Sequence, residues 1–213
     1  MSVHLVVASG NRHKVVELAE MLEAAPQAVV VRGLDAFPDA PQVPETADTF
    51  VGNAALKARG IAAYLRARGE AGDTLVLADD SGLSVDALDG APGVYSARFS
   101  GAGATDASNN AKLVEELKAR GRTSSDAHYA CVLAMCRVDG ASFGGGDLHA
   151  FEGRWDVVVR TSSRGDGGFG YDPHAWLKDT DSTVAELSRE DKATRSHRGV
   201  ALRALLAGWP LGT

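Results

Sequence analysis

The chain has 213 residues, a net charge of −6 and 45% hydrophobic residues. This length is enough for one α/β domain or two small lobes with a real core, and the composition is ordinary for a soluble globular protein. The acidic balance argues against nucleic-acid binding through a basic face, and no apolar run approaches the roughly 18 residues of a membrane span. A polyanionic small molecule could still bind where local cations or a metal offset the negative charge.

The N-terminal residues and the cysteines both indicate a cytoplasmic location. The first residues lack the basic region and the long apolar segment of a signal peptide. Only two cysteines occur, Cys131 and Cys136, in one apolar stretch, so we expect buried thiols in a reducing compartment without a metal or redox role. No internal repeat or clear linker interrupts the chain, and we therefore expect residues 1–213 to form a single domain.

Apolar runs and amphipathic stripes alternate along the chain. They predict strands at 3–8, 28–32, 74–78, 127–138 and 149–160. They predict helices at 14–22, 49–68, 106–120 and 196–207, with Thr105 as an N-cap and a further short helix opened by Ser188. Proline and glycine predict loops at 37–45 and 161–172 and an irregular stretch over most of 79–103. This alternation predicts an α/β fold, and the two late strands favour a mixed sheet.

Two adjacent carboxylates, Asp79 and Asp80, follow the strand predicted at 74–78, with Ser81 and Gly82 after them. Ligands in open α/β sheets bind outside the carboxyl ends of strands. Paired acids there suit Mg²⁺, which usually keeps waters and takes substrate phosphates as further ligands. An Asp-Asp-Ser-Gly turn is the alternative, and the tetrapeptide alone favours that turn.

The segment Ser9-Gly10-Asn11-Arg12-His13-Lys14 joins the first predicted strand to the first helix. Such a loop presents free backbone N–H groups and the positive end of a helix dipole, and its basic residues would complete a phosphate cradle. It is not a Walker A loop, because G-x-x-x-x-G-K-[ST] is absent. The alternative is a routine strand-to-helix turn with solvated basic residues.

Glu45 closes the proline-rich loop just before the helix predicted at 49–68. Its carboxylate could complete a metal site with Asp80, and Asn53 and Lys57 share one face of that helix. Glu45 could equally be an ordinary acid near a helix start, where it complements the dipole.

Two aromatic residues, Phe169 and Tyr171, lie among glycines in the loop at 167–173. They could stack on a flat base while Asp172 reads its edge, or they could simply pack in a Gly-rich turn. Lys192 and the triplet Ser196-His197-Arg198 offer donors for a base carbonyl or a phosphate. A Ser–His hydrolase is a poor fit, because Ser196 and His197 are adjacent on a helix and no G-x-S-x-G elbow exists. The remaining histidines are expected to have no catalytic role.

Taken together, these segments resemble the inosine triphosphate pyrophosphatase family, in order and over nearly the whole chain. The matching blocks are Ser9-Gly10-Asn11 with Lys14, Glu45 with Thr49-Phe50, Asn53-Ala54 and Lys57-Ala58, then 78–83, 85–88, 92–98, 168–173, 185–187, Lys192 and 196–199. Gly52 departs from the family pattern, which commonly has Glu there, and Ala193 replaces an often-seen Asn.

The resemblance implies a long mixed sheet with flanking helices, two lobes around a central cleft, and a homodimer. It implies Mg²⁺-dependent hydrolysis of ITP, dITP and XTP to the monophosphate and pyrophosphate, which removes non-standard purine nucleotides from the pool. It implies no nucleic-acid or membrane partner.

The resemblance also assigns roles to individual residues. Glu45 and Asp80 would serve the metal, Asp80 would accept the proton of the attacking water, and Asn53, Lys57 and Asp79 would support them. The phosphates would be held by Ser9, Gly10, Asn11, Arg12, His13 and Lys14. Ser81 would contact substrate. The nucleotide, mainly its base, would be recognised by Phe169, Gly170, Tyr171, Asp172, Lys192, His197 and Arg198.

Two other functions remain open from the sequence. A distantly similar septum-inhibitor-type pyrophosphatase would act on pyrimidine nucleotides such as dTTP or UTP. A nucleotide-binding regulatory module would bind ITP without turnover, although such a sensor has no need for Glu45, Asp80 and Lys14 together.

Overall fold

A six-stranded mixed β-sheet organises the fold in the computed structural model, which describes residues 2–25 and 27–208. The strands are β1 (Val3–Val7), β2 (Val29–Gly33), β3 (Leu75–Val85), β4 (Ser124–Arg137), β5 (Leu148–Arg160) and β6 (Ala175–Trp176). Their order across the sheet is β2-β1-β3-β4-β5-β6. β1 pairs in parallel with both β2 and β3, whereas β5 and β6 are antiparallel, which confirms the predicted α/β class and the mixed sheet.

The helices begin close to where the sequence predicts them. They are α1 (Arg12–Leu22), α2 (Phe50–Ala67), α3 (Asp106–Ala119), α4 (Arg189–Arg195) and α5 (His197–Ala207). The side chains of Asn11, Thr49, Thr105 and Ser188 cap α1 to α4 in that order by accepting backbone N–H groups. These bonds satisfy donors that would otherwise be unpaired at each helix start.

β3 differs from its prediction, because it does not end at Ala78. The strand continues to Val85 and contains Asp79, Asp80, Ser81 and Gly82. The predicted position of the two carboxylates after the strand is therefore wrong, and so is the alternative of a turn. The irregular stretch begins only after β3, with short 3₁₀ turns at Asp86–Leu88 and Gly93–Arg98.

The chain divides into two compact units. The first unit contains the segments before Ser81 and after His197 together with Cys131–Gly153, and the second contains Ser81–Ala130 and Arg154–His197. The prediction of a single domain over 1–213 stays a prediction, and Met1, Pro26 and 209–213 lie outside the described residues.

Within the first unit, successive residues of the strands point to opposite faces of the sheet. Val6 and Val76 belong to one apolar cluster with residues of α2, including Ile61. Leu5 and Leu77 belong to another, with residues of α1 and α5. Both faces of the first unit's strands are therefore covered by helices, and this packing fixes the positions of Asp79 and Asp80 on β3.

Within the second unit, a separate apolar cluster forms around β3, β4 and β5. It includes Leu83, Leu113, Tyr129, Val157 and Tyr171. α3 contributes Leu113 to this cluster, as the stripe in the sequence predicts. The same packing anchors Tyr171, which belongs to the glycine-rich loop.

Candidate active site

The ammonium group of Lys57 holds together the two acidic residues predicted to bind a metal. Its Nζ donates to Oε1 of Glu45 at 2.9 Å and to Oδ1 of Asp80 at 2.8 Å. A third bond, of 2.7 Å, goes to the backbone carbonyl of Asp79. The structure therefore brings Glu45 and Asp80 together, as the sequence predicts, with Lys57 between them.

The loop that carries Glu45 lies tightly against the first turn of α2. The buried Asn53 accepts a hydrogen bond from the backbone N–H of Ala47 through its Oδ1 at 2.9 Å. A Cβ at Gly52 would lie only 2.5 Å from the Cβ of Ala47. Glycine at position 52 thus permits a close approach that a glutamate there would oppose, and Asn53 supports Glu45 through the loop.

Charge and burial act in opposite directions on this group of residues. Burial raises the pKa of the Asp80 carboxyl above its usual value; the nearby Lys57 opposes this shift, whereas the charge of Glu45 adds to it. Burial by itself would lower the pKa of Lys57, but the charges and hydrogen bonds of Asp80 and Glu45 raise it. A carboxylate with a raised pKa is better suited to accept a proton.

One oxygen of Asp80 lacks a hydrogen-bond partner in the part of the chain that the structure describes. Oδ2 is buried and accepts no hydrogen bond from any residue that the structure describes. A buried acceptor of this kind is open to a metal ion, a water or a ligand.

Asp79 lies on the same strand and makes different contacts. Its Oδ1 is 2.5 Å from Nζ of Lys14, and its Oδ2 accepts from Nε of Arg198 at 2.8 Å and from the thiol of Cys131 at 3.3 Å. Burial opposes ionisation of Asp79, but the charges of Arg198 and Lys14 outweigh it and hold the pKa well below the usual range. Asp79 therefore fixes the lysine of the predicted phosphate loop.

Arg198 has a different environment from the one expected for a residue that recognises the base. Its side chain is 1% exposed and bridges Asp79 to Glu17, whose Oε2 lies 2.6 Å from Nη1. These two carboxylates pair with the guanidinium, and the role of Arg198 in recognising a base stays a prediction. Sequence reasoning missed Glu17, although its position three residues after Lys14 on α1 places it on the same helix face.

The predicted phosphate loop forms the start of α1. Asn11 uses its Oδ1 to accept from the backbone N–H groups of His13 and Lys14, and Ser9 accepts from Asn11. Gly10, Asn11, Arg12 and His13 are exposed, whereas Ser9 and Lys14 are half-buried. An exposed helix start with basic side chains is suited to anions.

In the second unit, Asp172 organises the glycine-rich loop. Its Oδ2 accepts from Nζ of Lys192 at 2.9 Å and from the backbone N–H of Phe169 at 3.0 Å, and its Oδ1 accepts from Tyr129 at 3.1 Å. The carboxylate is buried and accepts from three donors, and its role in reading a base edge stays a prediction. The contact that it makes with Lys192 holds that lysine in place.

Two ring contacts place the other side chains predicted to recognise a base. Nζ of Lys192 lies 4.4 Å from the ring centroid of the half-buried Phe169. The imidazole of His197 stacks on Tyr129 with centroids 4.8 Å apart and planes 10° from parallel. Sequence reasoning missed Tyr129, because nothing in the pattern of β4 distinguishes it from an ordinary core residue.

The backbone of the loop is fixed by glycines and by α3. Gly168 has φ +73°, and a Cβ there would lie 2.2 Å from Oδ2 of Asp172, so only glycine fits.

Gly170 is bonded to Asp106 and Asn110, two residues that the sequence did not single out. The hydroxyl of Tyr171 donates to the carbonyl of Ser96 at 2.8 Å, and this buried bond helps to hold the aromatic ring in the core. Ser81 lies half-buried on β3.

Two features are absent from the described residues. Across 2–25 and 27–208, no group of three or more His, Cys, Asp or Glu side chains is arranged to hold a metal ion. None of the helices in these ranges combines the length and the apolar character that a membrane crossing needs.

Comparison with known proteins places this chain in a family. A model of the Ham1 family matches residues 5–208. The chain is 46% identical over 203 residues to a protein named dITP/XTP pyrophosphatase from an Exiguobacterium species, covering 95% of both chains. It is 44% identical over 213 residues to the protein of the same name from Nitratidesulfovibrio vulgaris, covering 97% of this chain and 95% of the relative.

Solved structures agree with these sequence relatives. The HAM1 protein from Coxiella burnetii superposes with a TM-score of 0.81 at 35% identity, covering 96% of this chain and 97% of that one. The Ham1 protein from Staphylococcus aureus gives a TM-score of 0.76 at 33% identity, covering 96% of each chain. From sequence and fold together, the chain is a member of the Ham1 family.

Proposed function

We propose that this protein is a nucleoside triphosphate pyrophosphatase that hydrolyses the non-standard purine nucleotides ITP, dITP and XTP to the monophosphate and pyrophosphate. The observation that carries the proposal is the arrangement of Glu45, Asp80 and Lys57, with Lys14 held beside them by Asp79. Relatives matched over nearly the full chain carry the name dITP/XTP pyrophosphatase, which supports the choice of substrate.

The residues of the first unit fit a magnesium ion. Mg²⁺ is commonly bound by one or two carboxylates, with waters and substrate phosphates as the other ligands. Glu45 and Asp80 supply two carboxylates within 3 Å of one ammonium group, and Oδ2 of Asp80 is a buried acceptor without a partner among the described residues. When bound, the ion would offset the charge of the phosphates. We therefore propose Mg²⁺ as the cofactor, with Glu45 and Asp80 as its ligands.

The side chains of the protein contribute to hydrolysis by accepting a proton and by holding a phosphate in position. Asp80 accepts the proton of the attacking water, and its raised pKa favours that transfer. Lys14 binds a phosphate oxygen, and the ion pair with Asp79 sets the direction of its ammonium group. Hydrolysis of phosphoanhydrides depends mostly on such positioning and on electrostatic stabilisation.

Preference for a 6-oxopurine follows from donors held near a stacking surface. Lys192 lies over the ring of Phe169, and Asp172 fixes the position of its ammonium group. A 6-oxo group accepts a hydrogen bond from such a donor, whereas the 6-amino group of adenine leaves it unpaired at a cost of roughly 1–3 kcal/mol. Stacking of the base on Phe169 would add roughly 1–3 kcal/mol.

The test is pyrophosphate release from ITP, XTP, ATP, GTP and dTTP, with Mg²⁺ and with EDTA. Fast release from ITP and XTP that EDTA abolishes, with the monophosphate as the other product, is expected. A preference for dTTP would indicate the pyrimidine enzyme instead. Tight ITP binding without pyrophosphate release would indicate a regulatory module.

Two further parts of the proposal need their own measurements. We expect a homodimer, which light scattering of the purified protein tests directly. We also expect a cytoplasmic location, which fractionation of the source cells tests.

A further inference from the structure

Both polar groups of Gly170 are bonded to the first turns of α3. The backbone N–H of Gly170 donates to Oδ2 of Asp106 at 2.6 Å, and its carbonyl accepts from Nδ2 of Asn110 at 2.8 Å. Asp106 and Asn110 are four residues apart in the helix, so they share one face. The start of α3 therefore holds Gly170 through both its N–H and its carbonyl, with Asp106 as the acceptor and Asn110 as the donor.

Gly170 needs such support because of its backbone conformation. Its φ is +63°, in the left-handed region, and a Cβ there would meet nothing within 4 Å. The requirement for glycine thus comes from the dihedral angle and not from lack of space. A residue with such conformational freedom is held in one position by its hydrogen bonds, and here both come from α3.

The amide of Asn110 is placed at a cost to stability. Its Oδ1 is buried and has no hydrogen-bond partner within the described ranges. A buried unsatisfied oxygen is unfavourable, and an apolar residue of similar size would avoid it. Among the described residues, the hydrogen bond found for this amide goes to Gly170, so the position of the loop is what Asn110 contributes.

We infer that Asp106 and Asn110 are positioning residues for base recognition. They fix Gly170, and thereby set where the neighbouring Phe169 presents its ring beside Lys192. The inference rests on the proposed function, because it gives these two residues a role in the preference for ITP over ATP. Neither residue needs to touch the nucleotide for this role.

The variants Asn110→Leu and Asp106→Ala test the inference, with Thr105→Ala as the matched control. Asn110→Leu removes the bond to Gly170 and the unsatisfied oxygen together, and leucine is the better helix former. We therefore expect an unchanged or higher melting temperature, with a ratio of kcat/KM for ITP over ATP that falls by roughly tenfold, mainly through KM. Asp106→Ala should lower the ratio similarly.

Thr105→Ala separates helix stability from loop position. Thr105 caps α3 but makes no hydrogen bond to Gly170 among those found in the structure. Its loss should lower the melting temperature and leave the ITP-to-ATP ratio unchanged. Hydrogen exchange of the peptide spanning 166–171 should be faster in Asn110→Leu and Asp106→Ala than in this control.

The outcomes distinguish a failure of the positioning role from a failure of the proposed function. If wild-type protein prefers ITP and both variants keep the same ratio and the same exchange rates, the inference is overturned while the proposed function stands. If wild-type protein shows no preference for ITP, the proposed function fails and the inference falls with it. Should Asp106→Ala fail to fold, Asn110→Leu alone decides.

Discussion

The ammonium group of Lys57 and the carboxylate of Asp80 lie 2.8 Å apart, and the same ammonium also donates to Glu45 and to the carbonyl of Asp79. A lysine has three N–H donors, so all of them are used here. Two acidic side chains that would otherwise repel each other are thereby held together by one positive charge. The remaining acceptor of Asp80, Oδ2, has no hydrogen-bond partner among the described residues.

Replacing Asp80 by Asn should abolish turnover and leave the fold intact. The amide oxygen can still accept from Lys57, but the side chain can no longer take a proton from water. We expect pyrophosphate release from ITP to fall by at least about 10²-fold. The melting temperature and circular dichroism should stay close to wild type. Near-normal turnover in Asp80→Asn would contradict the proposed role.

Replacing Asp79 by Asn should destabilise the protein strongly. The variant leaves the cations of Lys14 and Arg198 without their shared buried partner, which typically costs about 3–5 kcal/mol. Urea denaturation measures the change in the free energy of unfolding. Asp147→Asn is the control, because its ion pair with Arg59 is exposed and should change stability by less than about 1 kcal/mol. If Asp79→Asn and Asp147→Asn changed the free energy of unfolding equally, a structural role for the ion pairs of Asp79 would be excluded.

Gly168→Ala should disturb the carboxylate that organises the glycine-rich loop. The new Cβ would lie 2.2 Å from Oδ2 of Asp172, which must move away from Lys192 or Phe169. We expect a loss of roughly 2–3 kcal/mol in unfolding free energy and a higher KM for ITP. Gly103→Ala has a nearly equal φ, +72°, and open space around the Cβ, so it isolates the backbone contribution. If Gly168→Ala and Gly103→Ala lower the free energy of unfolding equally and both keep the wild-type KM for ITP, the close contact between the new Cβ and Asp172 has no consequence.

Tyr129→Phe should weaken substrate binding more than it weakens the fold. The hydroxyl donates to Asp172, whereas the ring stacks on His197, and phenylalanine keeps only the stacking. We expect kcat/KM for ITP to fall by about threefold to tenfold, which corresponds to one lost hydrogen bond. Tyr64→Phe is the control: its hydroxyl is buried without a partner among the described residues, so removing it should be neutral or stabilising. A Tyr129→Phe enzyme with wild-type KM would show that this bond does not matter.

The two thiols should react slowly in the folded protein. Both cysteines are buried, as the sequence predicts, and burial raises the pKa of Cys136 to about 11 and that of Cys131 well above its usual value. The reactive thiolate is therefore scarce at pH 8, about one molecule in a thousand for Cys136. Iodoacetamide labelling followed by mass spectrometry should show little modification at pH 8 and more as the pH rises toward 11. Rapid labelling at pH 8 would mean that these thiols are accessible.

The positions of the main elements could be predicted from the sequence because they depend on local patterns. The apolar stripe of α2 predicts a helix at 49–68, and the structure has Phe50–Ala67. The course of β3 could not be predicted, because Asp79 and Asp80 have turn-like propensities on their own. The cations that make a strand possible there, Lys57 and Arg198, lie 23 residues from Asp80 and 119 residues from Asp79.

The candidate site follows the same rule: local sequence shows which residue types are present, but not which distant residues they contact. The segments with Glu45, Asp80 and Lys14 were each compatible with an ordinary turn or helix start, and they predicted phosphate and metal chemistry only together, through the resemblance to a known family. The contacts that orient Asp172 and Arg198 were not visible, because their partners Tyr129 and Glu17 lie far from them in the chain. A charged side chain that looks available in a sequence is often paired with an opposite charge in the fold.

The contacts of Trp155, Tyr129 and His197 provide an intrinsic fluorescence signal for ligand binding. The centroid of Trp155 lies 6.3 Å from that of Tyr129, whose other neighbour is the imidazole of His197. Indole emission responds to its surroundings, so a nucleotide that binds beside His197 is expected to change the fluorescence without any attached dye. The difference between wild-type and Trp155→Phe emission would isolate that signal, and occupancy could then be followed in a stopped-flow instrument before any product forms.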